Sequence, residues 1–248
     1  MASHTPIPAE ALEWLTGTEP TTILLVGASD AYAAFFARAG HAVTVADRDA
    51  HALTRITGHR SWVHVVAAAG ESLPFDPCCF SVVLAIQNFH TFAPGLALGE
   101  WARVLRPGGR VGIAYLARDD SVPWVKKLRA TVRAFLPDAM SGDDGDPAGA
   151  LAQSAYFPSV EATSFRTWVP ATRAQLQDNA RGATGADQLP PSDLEAMLAT
   201  IGELYDAYAR VPDPLLLPYV IRCWRAQVDQ TELTALLIPE DDGLSISF

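Results

Sequence analysis

The chemistry-bearing side chains of this chain gather in short clusters, each just past an apolar run. ILLVGASDA (23–31) sets Gly27, Ala28 and Ser29 where a sharp turn would bring backbone N–H groups toward a ligand, and glycine permits that close approach. Asp47 and Arg48 end the run HAVTVADR, at the offset of about 20 residues expected of a ribose-binding acid. A carboxylate there can accept both hydroxyl protons of a ribose. The plainer role for Asp47 is a turn, or a cap for a helix beginning near residue 50. IQNFHTF (86–92) offers Gln87 and Asn88 as polar contacts and His90 as a general base. A packed or capping histidine is the plainer reading of His90.

Asp30 opens a helical pattern and reads as its N-cap. It also discriminates between ligands. A pyrophosphate at this helix N-terminus would be repelled by the acid, so a dinucleotide is disfavoured. Ser29 would be strained by about 1 kcal/mol if the turn required a positive φ. Tyr115, Arg118 and Asp119 follow or end a later apolar run and could line an acceptor site.

The elements that must position these groups alternate in type. Residues 21–27, 41–47, 61–69, 80–86 and 110–117 read as strands; 30–39, 50–57 and 97–105 read as helices. FSVVLAI (80–86) is apolar throughout, as expected of a strand covered on both faces. Pro107-Gly108-Gly109 should stop a helix and turn the chain into the next strand. This order implies βαβ units, a parallel sheet and a site at the carboxyl ends of its strands. Beyond residue 120 the pattern predicts helices at 122–136, 171–181 and 191–209, a polar loop at 137–150, and strands at 164–169 and 215–226, with Pro218 suited to a strand start or edge. Tyr205, Tyr208 and Trp168 read as core aromatics.

Composition narrows the function. The 248 residues include 49% hydrophobic ones, enough for one substantial core. A net charge of −10 disfavours nucleic acid as a partner. Acidic groups at Asp138, Asp143, Asp144 and Asp146, and at Glu240, Asp241 and Asp242, read as solvated loops. Cys78, Cys79 and Cys223 lack the spacing of a disulfide framework or zinc site, and the histidines form no metal-ligand pattern. No apolar run is long enough to span a bilayer, and the first residues do not resemble a signal peptide, so a cytoplasmic protein is expected.

Four segments, in order, resemble the class I S-adenosylmethionine-dependent methyltransferases, in particular the methyltransferase type 11 group. They are ILLVGASDA (23–31), GHAVTVADRD (40–49), AAAGESLPFD (67–76) and EWARVLRPGGRVGIAYLARDDSVPWV (100–125), the last holding the family's R-V-L-R-P-G-G string. The resemblance covers residues 20–130 best. It implies an α/β, Rossmann-like fold, with a mostly parallel seven-stranded sheet, helices on both faces and a helical C-terminal insertion. It further implies one domain over residues 1–230, lid-like helices at about 171–210, and a tail at 231–248. The cofactor implied is S-adenosylmethionine, held by Gly27, Ala28, Ser29, Asp47, Arg48, Gly70, Glu71, Gln87 and Asn88, with His90 as candidate base for a small-molecule acceptor. The sequence departs from the pattern where the family has an acid (Leu25), further glycines (Ser29, Ala31), the acid for the adenine amine (Ala69) and Phe-Asp before strand four (Phe80-Ser81). Those departures raise an alternative, an inactive relative serving as a partner or regulatory subunit. A nicotinamide-dependent oxidoreductase ranks last, because the fuller dinucleotide fingerprint is absent. A homodimer or protein partner stays open; a membrane partner is not expected.

Overall fold

A computed structural model of the chain describes residues 7–27, 29–57, 63–137, 147–183, 185–210 and 214–231. Seven strands form one sheet in the order β3-β2-β1-β4-β5-β7-β6. They are β1 (Thr22–Val26), β2 (Ala42–Asp47), β3 (His64–Ala67), β4 (Phe80–Ile86), β5 (Leu105–Arg118), β6 (Val160–Ala171) and β7 (Leu215–Gln227). The first five run parallel; β7 joins β5 antiparallel, and β6 pairs antiparallel with β7 and so runs in the direction of the first five. The order reverses between β1 and β4, and at such a switch point the strand ends splay to leave a crevice.

Alternation along the strands divides the core into two layers, as the two-residue period requires. Leu24, Val26, Val83, Ala85, Ile113 and Tyr115 face α4 (Pro94–Val104) and α6 (Pro147–Ala152). Ile23, Leu25, Val82, Leu84 and Ala114 face α1 (Ala9–Thr16), α2 (Asp30–Arg38) and α3 (Ala50–Thr57). A third cluster joins α5 (Pro123–Phe135), α7 (Arg173–Arg181) and α8 (Pro191–Tyr208) to Ala171 and Leu217 at the ends of β6 and β7. These helices supply the C-terminal insertion. No helix among the described residues is long and apolar enough to cross a membrane.

Several expectations need correction. Ser29, not Asp30, is the N-cap of α2; its hydroxyl accepts from the Tyr32 N–H at 3.4 Å, and Asp30 is the first helical residue. Ser29 has φ −142°, so the strain of a left-handed turn does not arise. Helix α4 begins at Pro94, because a proline in the first turn loses no intrahelical bond, and it gives way to β5 at Leu105, ahead of Pro107. Residues 147–150, read as loop, belong to α6. Pro218 lies inside β7, between β5 and β6. The carbonyl of Pro218 accepts from Asp119 just past the end of β5, so its missing N–H falls where that ladder stops. Trp168 and Tyr208 are surface residues, 52% and 36% exposed. The acidic groups at 138–146 and 240–242 lie outside the described residues.

Candidate functional site

Four strand ends converge on one cleft of about 210 Å³. Val26 and Gly27 come from β1, Ala46, Asp47 and Arg48 from β2, Ala68 and Gly70 from beyond β3, and Asn88, Thr91 and Phe92 from beyond β4. A larger groove of about 550 Å³ between α4 and α6 has no charged side chain in its lining.

Gly27 makes the turn at the mouth of β1. Its φ is +98°, its N–H donates to Ala46 O at 2.8 Å, and a Cβ there would collide with the Asn88 amide. Glycine is therefore required both by conformation and by space. Asn88 Nδ2 donates to Val26 O at 2.6 Å, which fixes the amide orientation. Its Oδ1 is buried and has no hydrogen-bond partner among the described residues. A buried acceptor left in this state costs about 1–3 kcal/mol, so a ligand donor at this point would be favoured.

Asp47 ends β2. Its Oδ1 accepts from the Asp49 N–H at 2.7 Å, and Asp49 in turn accepts from the His51 N–H at 2.9 Å, so the plainer turn role of Asp47 is realised. Asp47 nonetheless lines the cleft, where its carboxylate can meet a diol. Arg48 and Glu71 pair at 3.0 Å across the rim, and Glu71 Oε1 also accepts from the Ala93 N–H at 3.1 Å. Gly70 is wedged: a Cβ would stand 2.8 Å from both Phe92 Cε1 and Val26 Cγ1. Its carbonyl accepts from Trp101 Nε1 at 2.9 Å. Val26, Ala68 and Phe92 thus give the cleft an apolar wall beside its polar groups.

His90 stands on a 3₁₀ turn, Phe89–Thr91, next to the cleft. Its backbone N–H donates to Tyr115 Oη at 2.8 Å, and its Nδ1 lies 3.1 Å from the same oxygen. Tyr115 is buried and His90 exposed, so an anchored hydroxyl orients an accessible imidazole. If the hydroxyl donates to Nδ1, the outer Nε2 carries the proton; if Nδ1 donates, Nε2 is basic. The other acceptor-side residues are tied up structurally. Asp119 is buried and held below the usual carboxylate range, first by the Ser121 hydroxyl at 2.6 Å and also by Arg166.

Residues 24–113 match the model of a methyltransferase domain. An uncharacterized methyltransferase of Mycobacterium tuberculosis is 30% identical over 141 residues, 56% of this chain and 54% of that protein. An O-methyltransferase of Penicillium expansum is 33% identical over 105 residues, 42% of this chain and 37% of that one. The chain spans about half the length, or less, of these curated relatives. Residues 24–113 thus have the sequence pattern of a methyltransferase domain. Solved structures show the same fold around the methyltransferase domain. A candidate type II methyltransferase of Anaeromyxobacter dehalogenans has TM-score 0.67 at 20% identity, covering 91% of this chain and 98% of that one. A candidate methyltransferase from an antibiotic biosynthesis pathway of Anabaena variabilis has TM-score 0.59 at 16% identity, covering 86% and 94%.

Within the methyltransferase domain, the expected site residues separate into groups. Gly27, Asp47, Arg48, Gly70 and Asn88 meet at the cleft, and Glu71 reaches its rim through Arg48. Ser29 spends its hydroxyl on the helix cap. Ala28 lies outside the described residues. Gln87 is exposed and tied to the next strand: its Nε2 donates to Leu116 O at 3.2 Å and its Oε1 accepts from the Leu116 N–H at 2.8 Å. Sequence reasoning missed Thr91 and Phe92 as lining residues. It also missed the tie from Asn88 to Val26, which spans 62 positions and leaves no local signal.

Proposed function

We propose that this chain transfers a methyl group from S-adenosylmethionine to a small-molecule acceptor. The observation that carries the reading is the buried, unpartnered Asn88 Oδ1 at the switch-point cleft, beside Gly27 and Asp47. The cofactor presents an ammonium group, which suits that acceptor, and a ribose diol, which suits Asp47. Asp30 at the adjacent helix start disfavours a phosphate-bearing rival. When bound, S-adenosylmethionine supplies an electrophilic methyl group on a sulfonium.

The chain's own part is alignment and proton handling. Asp47 would hold the cofactor's ribose diol and Asn88 its ammonium group, and the apolar wall of Val26, Ala68 and Phe92 would exclude water beside them. The Arg48–Glu71 pair closes the rim. His90 takes the acceptor's proton at Nε2, with Tyr115 Oη fixing the ring.

Calorimetric titration with S-adenosylmethionine and its demethylated product tests this. Binding with a Kd below about 100 µM is expected. Asp47→Ala should weaken it by about tenfold or more, the worth of a hydrogen bond to a charged group. No heat from either compound at millimolar concentration overturns the reading. With an acceptor in hand, His90→Ala should lower kcat by about 10²-fold or more while leaving cofactor affinity unchanged. An unchanged kcat removes His90 from the mechanism.

A further inference from the structure

Strand β6 is the outermost strand on its side of the sheet, and it is lightly guarded, its two charged residues being paired within the chain and its proline lying near its end. It runs twelve residues, about twice the common strand length. It pairs with β7 from Val160 to Ala171 without a register shift, so no bulge twists it away. It has no lysine, and its single proline, Pro170, lies next to its last residue. The opposite edge, β3, is only four residues long.

The direction of the free backbone groups follows from one hydrogen bond. Asp119 N–H donates to Pro218 O at 3.0 Å, so that carbonyl points toward β5. Trp168 is the residue opposite Pro218 on β6. In an antiparallel ladder its own N–H and C=O then point away from β7, out of the sheet. By alternation Ala162, Ser164 and Arg166 do the same, and none of these four is a proline.

We propose that β6 pairs antiparallel with β6 of a second copy of this chain, forming a dimer with one continuous sheet. The occupant is a second copy because the edge is complementary to itself. With the two-fold axis at Phe165, Ser164 lies opposite the second copy's Arg166, Ala162 opposite the second copy's Trp168, and Thr163 opposite the second copy's Thr167. Threonine–threonine and aromatic pairs of this kind stabilise sheets. The outward residues then exchange about eight backbone hydrogen bonds. A chain of net charge −10 would ordinarily repel its copy. Here the edge charges are neutralised within each chain: Glu161 pairs with Arg225 at 2.7 Å and Arg166 with Asp119 at 3.4 Å. Trp168, 52% exposed in the single chain, is covered by the pairing. The short β3 edge offers no comparable template, so the assembly closes at two copies.

Sedimentation equilibrium of the full chain over about 1–100 µM tests the assembly. A monomer–dimer equilibrium is expected, and a monomer across the whole range overturns the proposal. Ser164→Pro removes one outward N–H at a position where an edge strand tolerates proline, and should raise the dimer Kd by at least about tenfold. Trp168→Lys changes a side chain that is exposed in the single chain. It decides the matter if Ser164→Pro fails to fold; a dimer Kd unchanged by Trp168→Lys overturns the proposal. Hydrogen exchange separates this dimer from one built elsewhere. The amides of Ala162, Ser164, Arg166 and Trp168 should slow at about 100 µM relative to about 1 µM. Concentration-independent exchange at these four amides, in a sample that does dimerise, overturns it.

Discussion

At the scale of single residues, the tightest constraint is at Gly27. Its φ of +98° lies in the left-handed region, and a Cβ would meet an Asn88 amide that is held by Val26 O. Gly27→Ala should therefore destabilise the fold by about 1–3 kcal/mol, read by chemical denaturation, and should weaken cofactor binding as Asn88 is displaced. A neutral effect on both would show that the turn is softer than its geometry indicates. Cys223 makes a second residue-scale prediction. Burial within β7 pushes its thiol up to about 12, whereas Cys78 is exposed. At pH 8 a thiol reagent should label Cys78 readily and leave Cys223 unmodified until denaturant is added. Mass spectrometry of the labelled peptides checks this, and early labelling of Cys223 would contradict the packing described for β7.

At the scale of elements, side chains far apart in sequence secure the loops that carry the site. Glu100 and Arg103, one turn apart on α4, form a two-pronged pair at 2.7 and 2.8 Å. Glu100 also accepts from the Leu73 N–H, and Arg103 donates to the carbonyls of Leu73 and Phe75. Together they hold the loop that follows the cleft residues of β3. The Arg103 hydrogen bond holds the Glu100 carboxyl below its ordinary 4.5. A depressed carboxylate contributes its stability in full above the unfolded value and loses it as pH falls through the folded one. The melting temperatures of the parent chain and Glu100→Gln should thus differ at about pH 7, and the gap should close as the pH falls well below the ordinary glutamate range. A constant gap would exclude this pair as the source. The same scale shows what sequence could reveal. β1, β2 and β4 were legible because each is an apolar run buried on both faces, and Asp47 because it ends one of them. β6 was read as 164–169 because its remaining residues are mostly exposed and carry little hydrophobic pattern. α1 went unread, being eight residues long with no side-chain cap. The tie of Gln87 to Leu116 leaves no trace in the sequence, because it is set by the β4–β5 register, which no local pattern encodes.

At the scale of the whole molecule, the third hydrophobic cluster matters most. Met197 and Ile201 of α8 are fully buried among Leu128, Val132 and Leu176, away from the two layers that sandwich the sheet. Among the described residues, strands enter that cluster through the last residue of β6, Ala171, and the first residues of β7, with Leu217 buried and Leu215 and Tyr219 packed beside it. The insertion therefore has its own core and a narrow attachment, the arrangement expected of a unit that opens without the rest. Ile201→Ala should remove about 2–5 kcal/mol of packing from it. Because the sheet layers share no residue with this cluster, the loss should fall first on local opening of α5, α7 and α8. Native-state hydrogen exchange should then show faster exchange in those helices while the amides of β1 and β4 keep their protection. Equal acceleration in strands and helices would mean that the chain opens as one unit.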